Sequence, residues 1–240
     1  MEQSSFFPAR LRRLSGSALK LLAVITMLID HTAICLQPLL GSPRLALFGR
    51  SVTSYLALRF VGRLAFPIFC FLLAEGFRHT RDRRRYGLRL LLFALLSEIP
   101  FDLFRGGQLL YTGQNVFFTL LLGYLGLWAL DAFRKTPWKQ LLGLAALFAA
   151  AYWLHADYGW AGFLFILVLY LLGGQPVVQA LAGSALLPWP VGVGLAFLPL
   201  NLYDGRRGFI RSPWLKLGFY AFYPLHLLLL WQLHLRLFGY

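Results

Sequence analysis

The sequence is short of charged residues, and of acidic residues most of all. Charged residues occupy 13% of its 240 positions, and 9 Asp and Glu stand against 23 Lys and Arg. A typical soluble domain is about 25% charged, so this composition excludes an ordinary water-soluble fold. Hydrophobic residues account for 59% of the chain, which indicates that lipid surrounds much of the protein.

The chain also lacks the cysteines of a disulfide framework or a zinc site. Its two cysteines, Cys35 and Cys70, stand alone inside apolar runs, whereas such sites need several cysteines at characteristic spacings. We therefore expect both thiols to be small packing residues, and we expect no metal.

Nucleic-acid-binding motifs are absent as well, although the formal net charge is +14. In a soluble protein an excess of that size suggests a nucleic-acid partner. Here most basic residues fall between the apolar runs, where the positive-inside rule places the cytoplasmic loops of a membrane protein. We predict membrane lipids as partners, and no nucleic acid.

Long apolar runs are what the sequence has in abundance. A bilayer-spanning helix needs about 20 residues. The runs that qualify as single spans are approximately residues 19–40, 55–77, 86–104, 115–133, 141–155, 160–172 and 217–238. A further apolar region at 174–202 is interrupted by Pro188 and Pro190, and it holds either one span or a short antiparallel pair.

Three basic loops decide between those alternatives. The loops at residues 78–85, 134–139 and 206–216 are rich in Lys and Arg, and they should be cytoplasmic. Placing all three on one side of the membrane requires two crossings within 174–202. The sequence therefore predicts an all-α bundle of about nine transmembrane helices, with a cytoplasmic N-terminus, in the inner membrane.

Nothing in the sequence divides the chain into separate units, because it has no internal repeat, low-complexity tract or soluble domain. We predict a single membrane domain over residues 1–240. Residues 1–18 form a cytoplasmic N-terminal segment, and residues 19–238 form the transmembrane helices and short loops. The C-terminus should then lie on the outer side.

Several ionisable side chains lie inside the predicted spans. Such groups are costly within a bilayer, and they usually face a polar interior or a functional cavity. When depth is counted along each helix at about 1.5 Å per residue, four of them approach the bilayer midplane together. These four residues, from four helices, are His31, Arg63, Glu98 and His226.

Two pairs of charged residues have a further geometric relationship. Arg59 and Arg63 are four residues apart, as are Glu98 and Asp102, so each pair shares one helix face. Because the two helices are expected to be antiparallel, Arg63 should lie level with Glu98, and Arg59 with Asp102. Such a ladder of two ion pairs either fixes the helices in register or shapes a site, and the two interpretations are compatible.

Asp30 and His31 are adjacent, so they point about 100° apart on a helix. Asp30 therefore need not orient the His31 ring, and it has Arg59 and Arg63 as alternative partners. A lone membrane histidine often forms only a helix-to-helix hydrogen bond, but the surrounding charges favour a proton-handling His31. For His226 the structural hydrogen bond is an equal alternative. We expect three residues near the predicted surfaces to be solvated: His155, Asp157 and His234.

Basic residues cluster between the second and third spans. Topology and lipid headgroups alone can explain the run from Arg78 to Arg85. The alternative is a docking surface for a polyanion such as the phosphates of coenzyme A. Arg206 and Arg207, in a glycine-flanked loop predicted on the same side, extend that alternative.

Five stretches of the sequence together resemble the TraX family, which is similar to a wider superfamily of transmembrane acyltransferases. The match runs in order through nearly the whole chain and is weakest over 174–202. The stretches are LKLLAVITMLIDH (19–31), RFVGRLAFPIFCFLLAEGFRHTR (59–81), LLSEIPFDL (95–103), QNVFFTLLLG (114–123) and FYPLHLLLL (222–230).

The resemblance implies acetyl transfer with acetyl-CoA as the donor, because the family's namesake is associated with N-terminal acetylation of conjugative pilin. It also implies a membrane-embedded catalytic histidine. The candidate catalytic residues are His31, Asp30, Arg63, Glu98 and His226. The candidate substrate-binding residues are Arg59, Asp102 and Asn115. The candidate residues for binding the coenzyme are Arg78, Arg81, Arg84, Arg206 and Arg207.

The resulting hypothesis is a membrane acetyltransferase whose donor rests its phosphates on the cytoplasmic basic loops. The acceptor is an amine or a hydroxyl, such as the N-terminus of a pilin-like protein or a cell-envelope glycan. His31 takes the acceptor's proton or forms a transient acetyl-histidine. Arg63 stabilises the developing oxyanion, and Glu98 holds Arg63 or orients the imidazole.

Two alternatives belong to other classes of protein. A proton-coupled secondary transporter uses intramembrane Asp, Glu and His as a relay, although the sequence lacks a pseudo-symmetric pair of interrupted helices. A non-catalytic membrane assembly factor would use the same charges only for packing. The acceptor and the oligomeric state stay open.

Overall fold

The computed structural model describes residues 4–47 and 50–239, and over these residues the protein is a bundle of α-helices. The helices are, in order, α1 (Gly16–Cys35), α2 (Gln37–Leu40), α3 (Ser54–Gly62), α4 (Ala65–His79), α5 (Arg83–Gly106), α6 (Val116–Ala132), α7 (Pro137–Trp153), α8 (Gly159–Leu171), α9 (Pro176–Leu186), α10 (Pro190–Asn201) and α11 (Pro213–Phe238).

Local sequence signals explain where most of these helices begin. The side chains of Ser15, Thr53, Asp82 and Asn115 accept hydrogen bonds from backbone N–H groups in the first turns of α1, α3, α5 and α6, as N-caps do. Four other helices, α7, α9, α10 and α11, have proline in the first turn, where its missing N–H has no helical partner to lose.

The predicted all-α class is confirmed, and the structure adds one short pair of strands. Strands β1 (Pro43–Leu47) and β2 (Arg50–Thr53) pair as an antiparallel ladder between α2 and α3. The predicted first span at 19–40 therefore ends earlier, at Cys35, and the chain continues into the short α2 and this ladder. The apolar region at 174–202 forms two helices, α9 and α10, which pack against each other, as the antiparallel-pair alternative predicts.

Two helical segments in the described residues are long and apolar enough to cross a bilayer by length and composition. They are α1, with 20 residues, and the continuous segment Ser54–His79, which comprises α3 and α4. Helices α6, α8, α9 and α10 are shorter apolar helices. This apolar character indicates a membrane protein.

Helix α1 packs against α3, α4 and α11. Helix α5 packs against α6 and α11, and α8 packs against α4, α6 and α9. The core between these helices is aromatic, with fully buried Tyr124, Phe71, Phe77, Phe163 and Phe165.

Helices α1 and α11 run parallel to each other, since successive positions on one contact successive positions on the other. His31 contacts His226, and one turn further the thiol of Cys35 donates to the carbonyl of Leu230 over 3.2 Å. The Nδ1 atom of His234 lies 2.8 Å from the carbonyl oxygen of Cys35. Both cysteines are buried and free, so the structure supports their predicted packing role.

The loop that precedes α11 is hydrogen-bonded to the beginning of α1. The backbone N–H groups of Gly16 and Ser17 donate to the carbonyls of Arg206 (2.8 Å) and Arg207 (3.0 Å). The Ser17 hydroxyl also donates to the Arg207 carbonyl and accepts from the Ile210 N–H, each over 2.8 Å. These bonds bring the basic loop and the first turns of α1 to the same end of the bundle.

Candidate functional site

A large cavity runs along α1 through the middle of the bundle. Its volume is about 850 Å³, within the range of about 300–1,000 Å³ that is usual for ligand pockets. At one end it is lined by basic residues, including Lys20 and Arg207, and at the other by Arg59, Arg105 and Asp157. Between the two ends, His31 lines its wall.

The most specific contact at the cavity is a pair of histidines. The Nδ1 atom of His31 lies 2.7 Å from the Nε2 atom of His226. On the other side of its ring, His226 Nδ1 lies 2.8 Å from the backbone carbonyl of Phe222. His226 is 4% exposed and does not line the cavity, whereas His31 does.

The Phe222 carbonyl determines the tautomers of both histidines. A carbonyl oxygen can only accept a hydrogen bond, so His226 Nδ1 carries the proton. For two neutral rings, His226 Nε2 must then accept from His31 Nδ1–H. The remaining nitrogen of His31, Nε2, is left with its lone pair, and none of the described residues hydrogen-bonds to it. Aromatic rings of Phe104 and Tyr223 lie edge-on to His31, with centroids at 5.5 and 6.2 Å.

Asp30 binds both arginines of the second predicted span. Arg63 Nη2 lies 2.7 Å from Asp30 Oδ1, and Arg59 Nη1 contacts Asp30 Oδ2. The three side chains are 10–19% exposed, and together they carry one net positive charge beside His31. Gly62 makes this contact possible, since a Cβ atom there would overlap the Asp30 carboxylate.

The predicted ladder of Arg63 with Glu98 and Arg59 with Asp102 is wrong. Glu98 instead accepts a 2.5 Å hydrogen bond from the side-chain amide of Asn115, and Asp102 accepts from the backbone N–H of Leu110 over 3.0 Å. The acidic side chains of α5 face the segment that precedes α6 and not the arginines. A single carboxylate, Asp30, therefore serves both arginines.

Glu98, Asp102 and Asn115 lie outside the cavity lining. Asn115 is completely buried, and its amide also donates to the carbonyl of Ala94 over 2.7 Å, while its side-chain oxygen accepts from the N–H of Phe117 over 3.0 Å. These bonds connect α5 to the first turn of α6. Glu98 and Asn115 thus make contacts that hold the helices together outside the cavity. Part of the cavity wall is formed by four other candidates, His31, Asp30, Arg59 and Arg63.

Three residues at the cavity end that holds Arg59 and Arg63 were not singled out as site residues from the sequence. Arg105, Asp157 and Tyr158 line it beside Arg59 and Arg63. Asp157 was expected to be solvated, but it lies in the partly buried loop between α7 and α8. Burial raises the pKa of its carboxyl group, although the charges of Arg105 and Arg63 act in the opposite direction. Only packing brings this loop against α3, so no local pattern pointed to it.

The basic end of the cavity contains some of the predicted coenzyme-binding residues. Arg81 and Arg207 line the cavity. Arg78 does not, and it binds Glu75 over 2.5 Å and the Tyr170 carbonyl over 2.9 Å. Arg84 is exposed and outside the lining, and Arg206 lines a separate small cavity with Arg12, Arg13 and Asp204.

Sequence reasoning missed three other cations at this end, Lys20, Arg89 and Lys216. Each lies at or immediately before the beginning of an apolar run, a position that topology alone explains. Together with Arg207 they form what we call the basic mouth. No group of His, Cys, Asp and Glu suited to a metal ion occurs in the described part of the chain.

A cavity among apolar helices that is lined by His31 and several charged side chains, with His226 in contact behind His31, indicates a membrane protein with a buried site. The chain matches the TraX protein family over residues 15–234, and it belongs to that family. It is 32% identical to the probable fimbrial assembly protein FimC, serogroup H1, of Dichelobacter nodosus, over 90% of this chain and 94% of that protein. No solved structure matches the chain.

Proposed function

We propose that this protein is a membrane-embedded acetyltransferase that moves an acetyl group from acetyl-CoA to an amine or hydroxyl acceptor. One observation carries the proposal: His31 lines a ligand-sized cavity with Nδ1 engaged by His226 and Nε2 without a protein partner in the described residues. A neutral imidazole held in one tautomer, with its basic nitrogen available, is suited to general base catalysis.

In the proposed reaction the amine nitrogen or hydroxyl oxygen of the acceptor attacks the thioester carbonyl, and His31 Nε2 takes the proton that this nitrogen or oxygen loses. The tetrahedral intermediate then breaks its carbon–sulfur bond, and His31 returns the proton to the departing thiolate. His226 keeps the accepting lone pair of His31 in place and strengthens its hydrogen bond when His31 becomes a cation. An orienting group behind a catalytic histidine serves the same purpose in other acyl transferases.

The arginine cluster supplies the charge for the oxyanion. Asp30 neutralises only one of the two guanidinium groups of Arg59 and Arg63, so one positive charge remains beside His31. In a site of low dielectric constant, a fixed positive charge stabilises a developing negative charge more strongly than it would in water. Asp30 in this proposal positions the arginines and does not take a proton.

The residues present fit acetyl-CoA as the donor. Its anionic end is compatible with the basic mouth, and the cavity continues from there to His31. Bound acetyl-CoA would supply an activated acetyl group. Lys20 and His31 are separated by 11 residues of α1, about 16 Å along the helix, which is the distance that the pantetheine arm must bridge.

The name of the Dichelobacter nodosus relative supports a role in fimbria or pilus assembly. That relative is a probable fimbrial assembly protein. We propose that the acceptor here is the N-terminal amine of a pilin-like protein, with a hydroxyl of a cell-envelope glycan as the alternative. The cavity end beside Arg105 and Asp157 is where the acceptor would enter.

We further propose nine crossings of the inner membrane, with the N-terminus in the cytoplasm. Helix α9 starts beside the N-terminal segment, where the Ser4 N–H donates to the Gly173 carbonyl over 2.7 Å, and α10 starts beside Arg63 at Gly192. Each of these two helices therefore covers the distance between the two ends of the bundle. With 11 and 12 residues they are about 17 Å long, so they require a locally thin bilayer.

Cysteine accessibility tests this topology. Single cysteines at Lys135 and Ser212 should react with a membrane-impermeant maleimide only after the cells are opened. Cysteines at Gly113 and His155 should react in intact cells. Equal labelling of Ser212 and His155 in intact cells would contradict the proposed crossings of α9, α10 and α11.

The geometry gives less support to a proton-coupled transporter. A relay would use the intramembrane acids, but Glu98 and Asp102 lie outside the cavity lining, and Asp30 is bound by two arginines. The assembly-factor alternative differs from an enzyme in a measurable way, because it predicts no turnover of acetyl-CoA.

The experiment that tests the function uses the purified protein in lipid nanodiscs with acetyl-CoA labelled in the acetyl group. Acceptors are a pilin-like peptide with a free N-terminus, the same peptide with a blocked N-terminus, and isolated cell-envelope glycan. Mass spectrometry of the acceptors and release of free coenzyme A thiol measure transfer. We expect label on the free peptide or the glycan, with thiol released in equal amount.

Two variants make the result specific. His31→Gln should abolish transfer, while His155→Asn, at an exposed histidine outside the cavity lining, should leave it unchanged. Absence of labelled acceptor and of released thiol with the folded wild-type protein would refute the acetyltransferase proposal.

A further inference from the structure

Three arginines at the basic end of the bundle have acidic partners. Arg83 binds Asp131 over 2.6 Å, and Arg85 binds Asp82 over 3.0 Å. Arg78 is likewise paired with Glu75. These contacts are typical of a solvated basic surface whose charges are neutralised locally.

The basic mouth differs from these pairs, since among the described residues no carboxylate lies within salt-bridge distance of its four cations. Lys20 is close enough to Arg207 and Lys216 for their charges to repel one another. Lys216 is repelled in turn by Arg207 and Arg89. Four cations from four segments thus converge without neutralisation.

Hydrogen bonds fix the backbone of Arg207 and the side chain of Arg89. The Arg207 carbonyl accepts bonds from the N–H and the hydroxyl of Ser17, one turn before Lys20. Arg89 Nε donates to the Arg85 carbonyl over 3.2 Å, and its guanidinium lies 5.6 Å from the centroid of the Tyr86 ring. Holding like charges together costs free energy that an anion would offset.

The carbonyls of Arg206 and Arg207 already accept from the first N–H groups of α1, so the helix terminus itself is not the anion site. The side chains of the basic mouth are, and all four line the same cavity as His31. We infer a binding site for the phosphate groups of a cavity ligand at this end, formed by Lys20, Arg89, Arg207 and Lys216.

Phosphate groups at this position have two sources, the nucleotide end of coenzyme A and an anionic lipid headgroup. The assignment to coenzyme A rests on the proposed function, and it is favoured because the four cations face a cavity. Tyr86 and Tyr220 line the cavity at the same end and offer aromatic faces for the rest of a nucleotide.

The test titrates coenzyme A and, separately, pantetheine into the full-length protein in phosphatidylcholine nanodiscs, with calorimetry as the readout. In the variant Lys20→Gln with Lys216→Gln, we expect the Kd of coenzyme A to rise by about tenfold for each lysine, the loss typical of a charge-assisted hydrogen bond. Pantetheine lacks the nucleotide phosphates, so its affinity should stay the same.

The matched control is Lys135→Gln with Lys139→Gln. It removes the same charge from two exposed residues that do not line the cavity. An equal effect of the two double variants on the Kd of coenzyme A would overturn the site, because the effect would then come from net charge alone.

A second arm adds phosphatidylglycerol to the nanodiscs and measures the midpoint of thermal unfolding. If the lysine substitutions remove a phosphatidylglycerol-dependent stabilisation and leave coenzyme A binding unchanged, the phosphates belong to lipid and the coenzyme assignment is refuted. Lysine-dependent coenzyme A binding without any acetyl transfer would refute the proposed function and support the site. Acetyl transfer with an unchanged KM for acetyl-CoA in the lysine variant would support the proposed function and refute the phosphate site.

Discussion

His31 Nδ1 and His226 Nε2 are 2.7 Å apart, and this contact joins the first and last long helices of the bundle. The Phe222 carbonyl, 2.8 Å from His226 Nδ1, gives the contact a direction, from His31 as donor to His226 as acceptor. His31 is consequently the residue whose second nitrogen is available in the cavity, and His226 is a positioning residue behind it.

The first prediction distinguishes the roles of His31 and His226 by the loss of activity that different substitutions cause. His226→Leu removes the acceptor for His31 Nδ1–H, and we expect kcat to fall by about 10²-fold while KM changes little. His226→Gln offers a side-chain oxygen to the same proton, so it should retain more activity. His31→Gln should be more severe than either, by up to about 10⁴-fold.

Steady-state acetyl transfer with each variant measures this order. Unfolding midpoints serve as the control, because all three proteins must be folded for the comparison. If His226→Leu and His226→Gln were equally active, the hydrogen bond to His31 would have no role in transfer.

The second prediction concerns the carboxylate of Asp30. Asp30→Asn leaves two largely buried guanidinium groups, Arg59 and Arg63, without a counter-charge, and breaking such a pair costs about 3–5 kcal/mol. Asp131→Asn removes the partner of Arg83 in an ion pair that is about one third exposed, and it should cost less than about 1 kcal/mol. Denaturant titration of both variants in detergent measures the difference, and equal losses would contradict the buried role of Asp30.

The third prediction tests the close approach of α1 and α3. A methyl group in Gly62→Ala would overlap the Asp30 side chain, so the helices must separate, at a cost of about 1–3 kcal/mol. Gly218→Ala is the matched control, because a Cβ atom on that helical glycine has nothing within 4 Å. Thermal unfolding should show a loss for Gly62→Ala and no loss for Gly218→Ala, where alanine favours the helix.

The fourth prediction distinguishes a structural Asn115 from a substrate-binding one. Asn115→Ala removes the cap of α6 and the partner of Glu98, and we expect a loss of about 2–3 kcal/mol in stability. The Thr53 hydroxyl caps α3 by accepting from the Leu56 N–H over 3.1 Å. Thr53→Ala removes only this cap and should lower the free energy of unfolding by about 1 kcal/mol. Acetyl transfer per folded molecule should be unchanged in both, and a raised acceptor KM in Asn115→Ala would instead support the sequence-based assignment.

Several elements of the site follow from residue counting alone. His31 and His226 were placed at one depth, and they are in contact. Arg59 and Arg63 were proposed as partners of Asp30, and both bind it. Depth is predictable because the helical rise is constant, so a residue's distance from the end of its span needs no tertiary information.

The predicted ion pairs of Glu98 with Arg63 and of Asp102 with Arg59 are wrong for a physical reason that residue counting does not capture. Depth leaves the rotation of each helix about its axis undetermined, and packing of α5 against α6 and α11 turns the acids toward Asn115 and Leu110. Asp157 was missed because its loop approaches Arg63 only in the folded bundle.

The amino-acid sequence by itself determined the family, the helical and apolar character of the chain, and the histidine and arginine residues that could form a polar site. Those properties are local, since they depend on composition, on motif order and on the regular rise of a helix. Only the tertiary structure decided that Asp30 binds both arginines, that His31 faces the cavity and His226 lies behind it, and that the four cations of the basic mouth meet at one end of the cavity. These are properties of helix rotation and contact, which depend on the packing of the whole bundle.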